Sequence, residues 1–179
     1  DSVHPQLAGV GVAFKLLQAL WQTLGKEEQG LESFLDLVAL GTIADMVPLV
    51  DENRYLVRGG LEGLNSTRRV GLKELMEVTG LRPDAVDTES VSMVLAPCLN
   101  ASGRIAHAFT SYRLLATDSK EEGHQLAIEL KQENAERRRL TEEIVFTARE
   151  QLLDTGLDVP LLMAGGENYH PGVIGLVAS

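Results

Sequence analysis

The sequence predicts an α/β, helix-rich fold, and three observations carry that prediction. Apolar residues recur at helical spacing through residues 120–153, with no proline and, after Gly123, no glycine. Several shorter segments before them show the same three-to-four-residue spacing. One short apolar run, Pro160-Leu161-Leu162-Met163-Ala164, is followed by Gly165-Gly166 and reads as a buried strand and its turn. With 44% hydrophobic and 23% charged residues in a chain of 179, there is material to bury a core in one domain or in parts of two. Disordered and collagen-like chains are excluded.

Taken in order, Val10, Phe14, Leu17 and Trp21 mark an amphipathic helix over Leu7 to Leu24. A polar link, Gly25 to Gly30, precedes a segment from Leu31 to about Ala44 that is apolar on most sides, as a buried element would be. For Leu37 to Ile43 a strand is the alternative, and periodicity alone leaves both open. Asp51 suits the N-cap of a helix through Leu64, with Asn65-Ser66-Thr67 as its polar exit. Leu72 to Val78 reads as a short helix closed by Gly80. Glu89 to Leu95 reads as helical and runs into Pro97, after which Asn100-Ala101-Ser102-Gly103-Arg104 reads as a loop rich in hydrogen-bonding groups. Thr110 to Ala116 is one more short helix. The 120–153 helix, about 50 Å long at 1.5 Å per residue, exceeds what one compact domain needs and is expected to bridge two lobes, with a boundary near 154–158.

A single cysteine, Cys98, excludes a disulfide scaffold and fits a reducing, cytoplasmic setting. No apolar run approaches the ~20 residues that cross a bilayer. Sixteen basic against 26 acidic residues give a net charge of −10, which argues against a uniformly basic nucleic-acid binder. The balance is uneven, however: residues 61–119 carry 6 basic and 7 acidic groups, so a local phosphate site can coexist with an acidic average.

Four constellations could carry chemistry. Asp45 sits in the apolar stretch Gly41-Thr42-Ile43-Ala44-Asp45-Met46-Val47-Pro48-Leu49, where a carboxylate must be hydrogen-bonded, paired or metal-bound. Its bonding to nearby backbone N–H groups is the alternative. In Asn100 to Arg104, Asn100 and Ser102 offer hydrogen bonds, Gly103 permits close backbone approach and Arg104 could grip a phosphate with two prongs. A turn whose arginine pairs with an acidic neighbour is equally compatible, and His107 has a weaker claim. Gly165 to Gly172 places glycine before an apolar helix, where His170 would add a donor to backbone N–H groups. Arg137-Arg138-Arg139, flanked by Glu133, Glu136, Glu142 and Glu143, reads as a solvated helix face held by ion pairs. The sequence contains no Walker loop, H-E-x-x-H motif, nucleophile elbow or EF-hand.

In combination these segments are more specific. Leu7 to Leu16, Asp36 to Asp45, Ala96 to Arg104, Asn134-Ala135-Glu136-Arg137-Arg138 and His170 to Ser179 resemble, in that order, the RecJ family of single-stranded-DNA exonucleases in the DHH phosphoesterase superfamily. The resemblance implies degradation of single-stranded DNA from the 5′ end by a Mn²⁺ or Mg²⁺ pair, in DNA repair and recombination. It implies that residues 1–118 are the C-terminal portion of a DHH domain, 119–153 its connecting helix and 154–179 the beginning of a DHH-associated domain. Asp45 corresponds to a metal-binding aspartate and Arg104 to an arginine facing the substrate. Asn100, Ser102 and His170 would lie along the DNA, and a helicase or single-strand-binding protein could act as partner. The Asp-His-His motif that names the superfamily is absent, and Cys98 stands where an arginine is usual. With one metal ligand of a full set, this stretch alone is expected to be inactive. A non-catalytic replication scaffold of the same fold, or a phosphodiesterase acting on short oligonucleotides or cyclic dinucleotides, are the alternatives.

Overall fold

The structure, a computed structural model, describes residues 6–26, 30–155 and 161–178. Among these residues it is built from helices. The apolar stripe of the first segment forms α1 (Gly9–Thr23). Phe14 enters a small core with Leu31, Val38 and Leu56, and Val10, Leu17 and Trp21 pack around it.

A 3₁₀ turn, Glu32–Phe34, leads into α2 (Leu35–Ala44). The choice between helix and strand for 37–43 thus resolves as helix, and burial on most sides follows because α2 lies between α1, α3 and α6. α3 (Asp51–Asn65) crosses α2 at Gly60, where a Cβ would collide with the Leu35 carbonyl and the Ala39 side chain. Asp51 is not the N-cap: it is the first helical residue, at φ +45°, and Val50 occupies the cap position without a side-chain bond.

α4 (Val70–Thr79) ends at Gly80, whose φ of +81° is the left-handed stop expected of it. Thr88–Ser90 (α5), a π turn at Val91–Leu95 and α6 (Ala96–Ile105) run on as one rod. Asn100 to Arg104 are therefore helical rather than a loop. Pro97 does not break the rod because it sits in the first turn of α6, directly after the wide π turn, where a missing N–H is tolerated. α7 (Phe109–Ala116) follows.

α8 (Lys120–Thr155) spans 36 residues, about 54 Å. Ser119 Oγ accepts from the Glu122 N–H at 3.3 Å and opens it, while Glu121 and Glu122 favour its positive end. Its first half completes the main core: Leu126, Ala127 and Leu130 pack with Leu72, Leu75, Met76, Leu95, Cys98 and Leu114. α9 (Pro171–Val177) then leans on both α6 and α8.

Leu161, Leu162 and Met163 are exposed and belong to no strand, and no other described residue supplies a ladder for them to join. Pro160 and most of the 154–158 boundary lie outside the described residues.

Candidate nucleic-acid interface

Arg104 is the last residue but one of α6, and its side chain reaches α9: Nη1 donates to the Gly172 carbonyl at 3.4 Å. The two helices meet because residue 172 has no Cβ; one there would collide with the Arg104 carbonyl oxygen. His170 caps α9 with Nδ1, which accepts from the Gly172 N–H at 3.1 Å. With Nδ1 used as an acceptor, the neutral ring carries its proton on Nε2 and can offer that N–H to a ligand. Arg104 and His170, 66 positions apart in the sequence, are thus brought to one corner. Asn100 is exposed and lies one helical turn before Arg104, on the same face.

Ser102 is placed differently. It is fully buried, its Oγ 2.8 Å from Ser111 Oγ, while Ser111 also donates to the Leu99 carbonyl at 2.6 Å. Its hydroxyl faces α7, so in this arrangement it fixes the α6–α7 corner and does not meet a ligand.

Asp45 is not the buried acid that its apolar surroundings predict. It is the exposed C-cap of α2, and Met46, at φ +56°, turns the chain outward beside it. Its carboxylate has no hydrogen-bond partner among the described residues and no contact with Arg104 or His170. The buried carboxylate of α2 is Asp36, which accepts from Thr67 Oγ1 at 3.1 Å, Arg69 Nε at 3.0 Å and the Leu37 N–H at 2.7 Å. A second one, Glu74, bonds His124 Nδ1 at 2.9 Å and anchors α4 to α8. Asp36 carries the same signal as Asp45, an acid between apolar residues; only the tertiary pairing with Thr67 and Arg69 separates them. No group of three or more His, Cys, Asp and Glu among the described residues could hold a metal ion. Asp45 therefore stands as one carboxylate, and these residues do not make up a metal-pair site.

Behind Arg104, a polar relay links α6 to α8. Asn134, buried, donates from Nδ2 to Cys98 Sγ at 3.5 Å and accepts from Arg137 Nε and Nη2 at 3.1 and 3.0 Å. Burial pushes the Cys98 thiol up, against the bond from Asn134 and the charges of Arg138, Lys131 and Arg137. Burial, then the charges of Arg138 and Arg104, push the Arg137 guanidinium below its usual value. Arg139 differs from both: bonds to Glu136 and Glu143 raise it, as expected of a solvated ion-paired face. His107 is exposed. It faces Glu133, whose carboxyl is held above the usual range by burial and by Glu129, with His107 opposing.

No family model matches the chain. The single-stranded-DNA-specific exonuclease RecJ of Bacillus subtilis (strain 168) is 44% identical over 174 residues, spanning 97% of this chain and 21% of that protein. RecJ of Thermus thermophilus is 40% identical over 185 residues, or 99% of this chain and 27% of that one. The crystal structure of the Thermus RecJ in complex with Mn²⁺ superposes with a TM-score of 0.80 at 37% identity, covering 95% of this chain and 25% of its own. The chain spans between a fifth and about a quarter of the length of these relatives. Along nearly all of its own length it belongs to the RecJ family, matching an internal segment of those proteins.

Proposed function

We propose that this chain is part of a RecJ-type exonuclease that hydrolyses the phosphodiester bonds of single-stranded DNA from the 5′ end, in DNA repair and recombination. The observation that carries the reading is the α6–α9 corner. There exposed Arg104 and half-buried His170, from two segments that resemble RecJ, lie at one corner in a chain 44% identical to a single-stranded-DNA exonuclease. Residues 1–118 would close one domain, 119–153 connect, and 154–179 open the next. A helicase or single-strand-binding protein fits as a partner and the cytoplasm as the place of action. Among the described residues, no helix is long and apolar enough to cross a membrane.

In this reading each residue acts through its own chemistry. Arg104 takes a phosphoryl oxygen through its planar fork and offsets charge that develops there during hydrolysis. Asn100 supplies an amide donor one turn away, and His170 an Nε2–H. Ser102 keeps α6 against α7 so that Arg104 projects past the helix end. Asp45 is the carboxylate offered to Mn²⁺ or Mg²⁺. As a single ligand it does not hold a metal pair.

Two measurements test this. In a 5′-exonuclease assay with Mn²⁺, the isolated 179 residues give no turnover above background; robust Mn²⁺-dependent turnover would overturn the inactivity expected of a chain with a single metal ligand. Arg104→Gln lowers the affinity of the chain for single-stranded DNA about ten-fold. Unchanged affinity in that variant removes Arg104 from the site.

A further inference from the structure

We propose that Phe109 and Tyr112, on the outer face of α7, form a stacking ledge for a nucleobase of single-stranded nucleic acid. The choice of nucleic acid rests on the function proposed above; the ledge itself rests on how α7 is held and on what surrounds the two rings.

α7 is anchored through its other residues. Leu114 is fully buried, Ser111 donates to the Leu99 carbonyl of α6 at 2.6 Å, and Arg113 pairs with Glu122 of α8. Phe109 and Tyr112 lie about 140° and 160° round the helix from Leu114 and so face away from the core. Both remain 63% exposed. They meet each other across one helical turn, with ring centroids 5.4 Å apart and planes inclined by 29°, the offset stack that aromatic pairs prefer. Single exposed apolar side chains are ordinary. An ordered pair of rings left in water is a short stack that a third ring can extend.

The surroundings select the occupant. Acidic residues make up 26 of the 179, yet none falls between Ser90 and Thr117, the stretch that holds both rings with Arg104, His107 and Arg113. A polyanion can therefore approach this part of the chain without meeting a carboxylate from it. Ala108, the residue before the pair, lies against Gly103, where an added Cβ would stand 3.6 Å from the Ala108 Cβ. α7 thus begins next to the residue that precedes Arg104. Two side chains fall well short of the roughly 800 Å² that each partner gives to a stable protein interface. They do match one base, whose π face needs only a ring beneath it. An arginine for phosphate and a ring for the base answer the two halves of a nucleotide.

The test compares the anisotropy of a labelled oligothymidine with that of an abasic oligomer of the same length, on the 179-residue chain across a salt series. The parent should prefer the oligothymidine. F109A/Y112A should weaken oligothymidine binding about ten-fold and leave the abasic oligomer within about two-fold of the parent. No phosphate contact is removed, so the log–log salt dependence stays that of the parent. F109L/Y112L, apolar but without rings, should behave as F109A/Y112A, and Y112F as the parent. Both rings stand mostly in water, so the melting temperatures should stay together. Irradiation of an oligomer carrying 5-iodouracil should attach it to the tryptic peptide 105–113. Parental oligothymidine affinity in F109A/Y112A, an equal loss for both oligomers, or attachment only to other peptides overturns the ledge while the single-strand reading stands. If neither oligomer binds the parent, the nucleic-acid reading of this chain falls and the ledge with it. If the parent shows no preference for bases and sediments as a dimer that F109A/Y112A abolishes, a second copy of the chain is the occupant and the ledge is overturned.

Discussion

The first half of α8 carries Gly123, Leu126, Ala127, Leu130 and Asn134 into buried positions against α4, α6 and α7, whereas residues 137–153 bury only Ile144 and Ala148, beside the 161–178 segment. The two halves are one continuous helix with similar spacing of apolar residues. What differs is the number of elements that meet each of them. Helical periodicity therefore reports that a stripe exists, while the partners available decide how much of it leaves water. The first half belongs to the cooperative core and the second is a platform on which α9 docks, so the two should open with different free energies.

The largest effect should follow from Leu130→Ala, which empties a fully buried site between α4, α6 and α8 and costs ~2–5 kcal/mol in urea unfolding. Ile144→Ala removes as many methylenes from the second half. It should lower global stability by less than about 1 kcal/mol while speeding amide exchange in 161–178. Equal global losses would erase the distinction between the halves. Next, Gly172→Ala forces a methyl group against the Arg104 carbonyl. It should cost roughly 1–3 kcal/mol, confined to the α6–α9 contact, with exchange raised at 170–178 and unchanged at 120–134.

Acid titration sharpens the same contrast. Glu122, in the first turn of α8, is held below the usual carboxylate range by the Thr117 hydroxyl and then by Arg113. Its contribution is complete above the ordinary glutamate value, about 4.3, and is lost as pH falls through the lower folded value. Glu133 has the opposite sign, because burial and Glu129 raise it. Its ionisation opposes folding, so the fold gains as pH falls from the raised folded value towards the ordinary one. Carboxyl carbon shifts should show midpoints on opposite sides of about 4.3. Two midpoints on the same side would contradict the packing described around Glu133. The smallest effect is Arg139→Gln, whose pairs are solvent-exposed and should leave the melting temperature close to that of the parent chain.

What could be read from the sequence depended on whether the deciding physics was local. The long helix at 120–153, found as Lys120–Thr155, and the Gly80 stop of α4 rest on spacing and on backbone freedom, both visible in a few residues. The segment 100–104 was not legible. Pro97 and Gly103 are local breakers, and the turn that accommodates the proline lies before it in an unremarkable apolar run. Asp45 and Asp36 look alike in the sequence, and their opposite fates come from Thr67 and Arg69, some thirty positions from Asp36. For the candidate site, Arg104 and His170 could be named singly, but not their meeting at a glycine. The division of Arg137 from Arg139 needed Asn134, which is itself held by a cysteine 36 positions away.

The π turn at Val91–Leu95 has a consequence for how this chain tolerates insertion and deletion. A π turn holds about one residue more than an α turn, and each residue advances a helix by about 100°. Removing one residue from 91–95 would restore a regular helix and rotate everything after it by that angle, swinging Cys98 away from Asn134 and Arg104 away from Gly172. Every side chain of the corner would still be present in the sequence. The length of this apolar run acts as a phase setting, so an aligned relative with one residue fewer there would share the motif and lack the corner.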